Sequence, residues 1–282
     1  MKCAKDYMNS PRTIKRDSSL ADVLKKIIDE KKSRLLVTEN NKIMGLVSEK
    51  DLGVFLFMDA SERKLDEIPL SEIMKTMITV DEKTGLNKCA ELMMRNLIGS
   101  LIVTANDEVV GILTKTDLVR YFTKTHHGEK IVGEYMSPYY AWQYSDAPLY
   151  KAVLKMIDDG ISRVVLRNRD EIPVGIVTFR DLFELALKQG NYEDVLDNTD
   201  PVISIIFPRK GFISESGFGG SVKVSDVMSK SIVSVDYDED LAKAGMLLLE
   251  KNINGAGVLS SRDSIVGIIS KTDIVKAVAF LK

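Results

Sequence analysis

The chain has 282 residues, 45% of them apolar and 28% charged, and carries a formal net charge of −2. This length suits two domains of ordinary size, and the composition is that of a water-soluble globular protein. The balanced charge offers no basic field for nucleic acid or an anionic membrane, and no apolar run approaches the roughly 20 residues of a membrane span. The N-terminal MKCAKDYMNSPR lacks the apolar core of a secretory signal, and Cys3 and Cys89 are too few for a disulfide framework. A cytoplasmic protein with two reduced thiols is expected.

In chain order, one unit is written four times. Repeat 1 (residues 1–60) opens on Asp6-Tyr7-Met8, followed by a β-like TIK and a DSS turn suited to helix capping. Leu20, Val23, Leu24, Ile27 and Ile28 then recur at helical spacing. A branched strand LLVT leads to GLVSEKD (Gly45 to Asp51), and the helix DLGVFLF closes the unit. Repeat 2 (61–127) runs through Glu72-Ile73-Met74, MITV, SLIVT, GILTKTD (Gly111 to Asp117) and DLVRYFTK. Repeat 3 (128–189) runs through Glu134-Tyr135-Met136, YAWQY, RVVLR, GIVTFRD (Gly175 to Asp181) and DLFELALK. A connecting insert follows at 190–221. The interruption itself runs from Lys188 to Ser221 and includes a Gly/Ser-rich stretch without the lysine and hydroxyl of a phosphate-cradling loop. Repeat 4 (222–282) has Asp226-Val227-Met228, SIVSV, a DEDL cap, AGVLS, GIISKTD (Gly267 to Asp273) and DIVKAVAFLK.

The step from Met to motif Gly is 37 residues in repeats 1 and 2 and 39 in repeats 3 and 4, which suggests two tandem pairs. Each unit reads β-α-β-β-α, with the last strand beginning at the motif glycine and the last helix opening on the motif aspartate. Some 55–60 residues is small for independent stability, so the units are expected to pair and share a core.

These repeated motifs resemble the CBS (cystathionine-β-synthase) domain family, arranged as two Bateman modules of two repeats each. The layout is similar to the γ subunit of AMP-activated protein kinase and to free-standing archaeal four-repeat proteins. The resemblance implies an α/β fold of paired repeats, with the two modules closing into a flat disc in four-repeat relatives. It further implies clefts between paired repeats that take adenosine compounds, either AMP, ADP and ATP or S-adenosylmethionine, in a non-catalytic regulatory protein.

The motif has chemistry suited to that role. An aspartate at a helix start offers two acceptor oxygens to the adjacent hydroxyls of a ribose. The Ser or Thr three residues earlier can donate to a phosphate, whose charge the free N–H groups of the helix start also favour. The glycine keeps a side chain out of the cleft. The candidate residues are Ser48 and Asp51, Thr114 and Asp117, Thr178 and Asp181, and Ser270 and Asp273. The bland alternative is that Ser/Thr-x-x-Asp merely caps a helix.

The resemblance places a phosphate-binding basic residue at the start of the second strand. Arg34 and Arg163 stand there in repeats 1 and 3, but Ser100 and Gly255 in repeats 2 and 4. Before the motif aspartate the same alternation appears, with Lys50 and Arg180 against Thr116 and Thr272. Unequal sites are therefore expected, two binding phosphorylated ligands well. An adenine is expected to rest against Ile14, Ile78, Ala141 or Val233, and Trp142 and Tyr140 either stack on a base or block a cleft. No catalytic constellation emerges, and the adjacent His126 and His127 make a poor metal pair. The expected partners are an adenosine-containing small molecule and a regulated protein, with a homodimer allowed. The alternatives are an S-adenosylmethionine sensor or a constitutive subunit with structural clefts.

Overall fold

A computed structural model describes residues 2–40, 42–59, 61, 63–183, 218–262 and 264–281. The insert from Lys188 lies outside the described residues except for a helical turn at Phe218–Ser221. Repeat 1 comprises β1 (Thr13–Lys15), α1 (Leu20–Asp29), β2 (Arg34–Glu39), β3 (Lys42–Ser48) and α2 (Glu49–Met58). Repeat 2 follows with β4 (Thr79–Asp81), α3 (Leu86–Arg95), β5 (Ser100–Ala105), β6 (Glu108–Thr114) and α4 (Lys115–Thr125). Repeat 3 has a short α5 (Val132–Tyr135), β7 (Trp142–Tyr144), α6 (Leu149–Asp158), β8 (Arg163–Arg167) and β9 (Pro173–Thr178), and a helix begins at 179. Repeat 4 has β10 (Ser234–Asp236), α7 (Leu241–Glu250), β11 (Gly255–Leu259), β12 (Ile265–Ser270) and α8 (Lys271–Ala279).

Each repeat folds a three-stranded sheet whose first strand runs parallel to the second and whose second and third form a hairpin. The first helix is the crossover between the parallel strands. In repeat 1, Ser19 caps that helix by accepting from Asp22 N at 3.2 Å, while Asp22 accepts from Ser19 N at 2.8 Å. Leu20, Val23, Leu24 and Ile27 form its buried stripe. Asn40 takes a left-handed φ of 49° at the β2–β3 turn, as Asn106 does at the β5–β6 turn. Asparagine tolerates that region better than most residues.

Two details differ from the sequence reading. The third strand starts ahead of the motif glycine, at Lys42, Glu108, Pro173 and Ile265, so the glycine lies inside the ladder. The last helix starts directly after the hydroxyl residue, which makes the aspartate its third residue.

The chain divides into two compact units. One contains Met1–Pro11, Met77–Tyr140 and Val233–Lys282, and the other Arg12–Thr76 and Ala141–Ile232. Helical packing thus groups repeat 2 with repeat 4 and repeat 1 with repeat 3. Phe122, Leu118, Leu248 and Ile274 belong to the core of the first unit. Leu24, Leu52, Val153 and Phe179 belong to that of the second. Spacing had grouped 1 with 2 and 3 with 4, and that relation survives in the N-terminal segments. Asn9 of repeat 1 bridges to Ile112 of repeat 2, and Lys75 of repeat 2 bridges to Leu46 of repeat 1. Ser137 likewise bridges to Ile268, and Ser229 to Ile176.

This exchange accounts for both repeated sequence marks. A Cβ on Gly45 would lie 2.6 Å from Met74 Cγ and 2.8 Å from the Lys75 carbonyl oxygen. Gly111 is covered by Met8, Gly175 by Met228 and Gly267 by Met136. Expected to keep a cleft clear, the glycine instead receives the methionine of the segment paired alongside. Among the described residues no helix is long and apolar enough to cross a membrane.

Candidate ligand site

The four motifs share one local geometry. The hydroxyl residue is the N-cap, and the aspartate Oδ2 accepts from its backbone N–H at 3.0 Å in repeat 1, 2.8 Å in repeats 2 and 4 and 2.7 Å in repeat 3. The hydroxyl also donates to Oδ2, at 2.6 Å for Thr114, Thr178 and Ser270 and equally closely for Ser48. This is a capping box with Asp in place of Glu. The cap reading therefore holds for one carboxylate oxygen in every repeat.

It also gives the hydroxyl a partner inside the motif. A Ser or Thr has one O–H to donate, and here it goes to the carboxylate. Ser48, Thr114, Thr178 and Ser270 orient the aspartate, and donation to a phosphate requires that bond to be given up.

The other oxygen, Oδ1, distinguishes the repeats. Among the described residues, no hydrogen bond reaches Asp51 Oδ1, whose carboxylate uses only Ser48. Asp181 Oδ1 accepts from Ser229 Oγ at 3.2 Å, and Asp273 Oδ1 from Ser137 Oγ at 3.4 Å. Asp117 Oδ1 accepts from both Asn9 Nδ2 and Arg120 Nη1, each at 2.8 Å. The donors Asn9, Ser137 and Ser229 each follow the repeated methionine, a position the sequence reading did not single out.

Strand register sets Arg34 directly across from Ser48, and Arg163 across from Thr178, with Ser100 and Gly255 at the matching places. Burial pushes the Arg34 guanidinium below its usual basicity, against the pull of the Asp51 and Glu49 carboxylates. Half-buried Arg34 thus stands across the strand ladder from the N-cap of the helix that carries Asp51.

Lys50 and Arg180 are otherwise engaged. Lys50 Nζ donates to the Gly160 carbonyl at 2.7 Å, and Arg180 pairs with Glu49 at 3.0 Å. Both tie repeat 1 to repeat 3. In the other unit, Thr116 and Thr272 accept from lysines: Lys115 Nζ reaches Thr272 at 2.8 Å and Lys271 Nζ reaches Thr116 at 3.3 Å. Lys115 and Lys271 follow the motif hydroxyl, a position overlooked in the sequence. They bring cations to the even repeats, where the alternation at the neighbouring position had suggested a deficit.

The apolar candidates also sort out. The second strand donates to the carbonyls of Arg12, Ile78, Ala141 and Val233 at equivalent positions. Ile14 therefore lies two residues out of register with the others, and repeat 1 has Arg12 where its siblings have an apolar side chain. Ile78 and Val233 are partly buried against the core of repeats 2 and 4, and Ala141 against that of repeats 1 and 3. Trp142 meets Tyr144 edge-on with centroids 5.2 Å apart, and Arg167 lies over it at 4.7 Å. A groove of about 540 Å³ beside β1 and α1, lined by Thr13, Ile14 and Asp22 among others, contains no motif residue.

His126 stacks on Phe122, and His127 Nδ1 is 3.8 Å from Asp240. Burial and the neighbouring Cys3 push the Cys89 thiol up to about 11. Among the described residues no cluster of His, Cys, Asp or Glu is placed to hold a metal ion.

The CBS domain family matches residues 4–53, 70–124, 132–188 and 224–280, and the chain belongs to that family. CBS-domain proteins are in general regulatory and non-catalytic, and their paired domains bind ligands. Protein MJ1225 of Methanocaldococcus jannaschii is 20% identical over 84% of this chain and 83% of its own length. Its crystal structure, described as that of a candidate archaeal homolog of γ-AMPK, superposes with a TM-score of 0.79 at 18% identity, covering 98% of this chain and 99% of that one. A 33.4 kDa protein of Thermofilum pendens is 25% identical over 85% of this chain and 78% of its own. A conserved protein of Pyrococcus horikoshii superposes with a TM-score of 0.65 at 18% identity, covering 98% of this chain and all of that one.

Proposed function

We propose that the chain is a non-catalytic regulatory protein that binds an adenine nucleotide (AMP, ADP or ATP) at its CBS motifs and thereby signals to a protein partner. The observation that carries this reading is Asp51. Its Oδ2 is fixed by the helix cap while Oδ1 is open among the described residues, with Arg34 across the ladder from the cap residue Ser48. An open carboxylate suits a ribose diol, and a nearby guanidinium suits a phosphate. The same cation disfavours the sulfonium of S-adenosylmethionine, which makes that ligand the second choice.

The test is thermal melting with AMP, ADP, ATP and S-adenosylmethionine. A ligand at 100 times its Kd stabilises by about 2.7 kcal/mol. Asp51→Asn is expected to reduce the shift, and to leave the melting point of the ligand-free chain within a few degrees. Absence of a shift with all four compounds overturns the reading. A constitutive subunit with structural clefts is favoured by one observation, the full occupation of Asp117 within the chain itself.

A further inference from the structure

Asp117 stands apart from its siblings. Its side chain is only 3% exposed, and both oxygens are saturated. Oδ2 takes the N–H and hydroxyl of Thr114 at 2.8 and 2.6 Å, and Oδ1 takes Asn9 and Arg120 at 2.8 Å each. A carboxylate has about four lone-pair sites, and four donors fill them. No acceptor site remains for a ribose diol.

Asn9 is well anchored. Asn9 exchanges both backbone hydrogen bonds with Ile112, each 2.9 Å long, and Met8 before it fills the space over Gly111. Its amide is thus held beside the carboxylate with little remaining freedom to lose. Arg120 lies three residues beyond Asp117, on the same face of the same helix. Repeat 1 shows the opposite condition, with Oδ1 of Asp51 open among the described residues. Repeats 3 and 4 have a serine at the Asn9 position, which reaches less far and sits at 3.2 and 3.4 Å.

We propose that Asn9 and Arg120 act as a built-in occupant that keeps the repeat 2 motif closed to ligand, so that the four motifs are not equivalent and this one binds only when the two side chains release Asp117. This rests on the adenine-nucleotide reading of the motif. A ligand entering here gives up two charge-assisted hydrogen bonds before making its own. Failure to replace even one of them weakens binding about tenfold.

The experiment is equilibrium dialysis of AMP against the full chain, wild type and Asn9→Ala/Arg120→Ala. The double variant is expected to bind one more AMP per chain, or to tighten a weak site at least about tenfold. Adding Asp117→Asn is expected to remove that gain, which assigns it to repeat 2. The milder pair Asn9→Ser/Arg120→Gln serves should the double alanine variant fail to fold, and a smaller gain is expected from it. If the wild type binds AMP and both variants gain nothing, the closure is overturned while the proposed function stands. If the variants bind fewer AMP molecules, Asn9 and Arg120 hold ligand, and the closure is overturned as well. If no form binds AMP, or ADP, ATP and S-adenosylmethionine run in parallel, both readings fall together.

Discussion

Directly after the motif hydroxyl, repeats 2 and 4 carry Lys115 and Lys271, whereas repeats 1 and 3 carry Glu49 and Phe179. In the unit of repeats 2 and 4 the two lysines cross reciprocally to threonines of the opposite repeat. In the unit of repeats 1 and 3 the crossing is asymmetric, with Glu49 meeting Arg180 while Phe179 turns inward to lie on Gly53. The same backbone frame is thus closed by a polar pair in one unit and by one ion pair and one aromatic ring in the other. What is repeated is the helix cap and the Met-on-Gly contact. What varies is the chemistry at the centre of each unit.

The sharpest way to break this comparison is Phe179→Ala. The ring is 2% exposed and belongs to the core of repeats 1 and 3. Emptying such a site costs about 3–5 kcal/mol. Denaturant unfolding is expected to show the unit of repeats 1 and 3 melting first, which splits a single transition in two. An unsplit, unshifted transition would mean the ring contributes little.

Glycine substitutions come next. A Cβ at Gly45, Gly175 or Gly267 would lie 2.7–2.8 Å from a backbone carbonyl oxygen of the paired segment, which must then move. At Gly111 the nearest backbone atom is 3.2 Å away, and the closer neighbour is the flexible Met8 sulfur at 2.6 Å. Overpacking of this kind costs about 1–3 kcal/mol. Gly→Ala is therefore expected to destabilise at Gly45, Gly175 and Gly267 by more than at Gly111. Equal losses at all four positions would show that the methionines, not the carbonyls, set the cost.

The central lysines give a smaller effect on stability and a larger one on binding. Lys271 is 7% exposed. Replacing a buried, hydrogen-bonded charge by an apolar side chain of similar length is often close to neutral. Lys115→Met/Lys271→Met is expected to change stability by about 1 kcal/mol or less. On the proposed function, AMP affinity at the site of repeat 4 falls about tenfold while adenosine binding is unchanged. Calorimetry with both compounds separates the phosphate from the nucleoside, and an equal loss for both would remove the lysines from phosphate binding.

The sequence made the repeats legible because capping, turn and periodicity are local rules. The strands around Arg34–Glu39 and Ser100–Ala105 and the stripe of Leu20, Val23, Leu24 and Ile27 follow from them. The grouping of helices was not legible. Met-to-Gly spacing reflects which repeats resemble each other, and carries no information on which helices pack together. The triplets ending in Met8, Met74, Met136 and Met228 were visible as marks, yet their contact joins different repeats, beyond the reach of any local pattern. Ser48 and Asp51 were identified as a pair, but the direction of the hydroxyl proton, toward the carboxylate, needed coordinates. Asn9 and Arg120 carried a faint signal, one following the repeated methionine and the other three residues past Asp117. The place of Arg34 across from Ser48 is legible because a β-hairpin register is fixed by its ends.

The finest comparison concerns the acid of each triplet. Glu72, in the unit of repeats 1 and 3, receives both Arg63 guanidinium nitrogens at 2.7 and 3.0 Å, and this holds its carboxyl below the usual range. Asp6, in the unit of repeats 2 and 4, is lowered chiefly by the backbone N–H of Cys3 at 2.9 Å. For a depressed acid, the stabilisation is full above the unfolded-state pKa, near about 4.3 for Glu. It is lost as pH falls through the lower folded-state value. The Arg63–Glu72 pair is solvent-exposed, so screening keeps its contribution at neutral pH small. The stability difference between wild type and Arg63→Ala is expected to shrink toward zero in acid. Salt separates the two acids, because at 1 M the Debye length is about 3 Å. Carboxyl titration by NMR is expected to show Glu72 moving up toward its ordinary value in salt, while Asp6, held mainly by a short neutral donor, moves less. An equal salt response would mean that long-range charge, not the local donor, holds both.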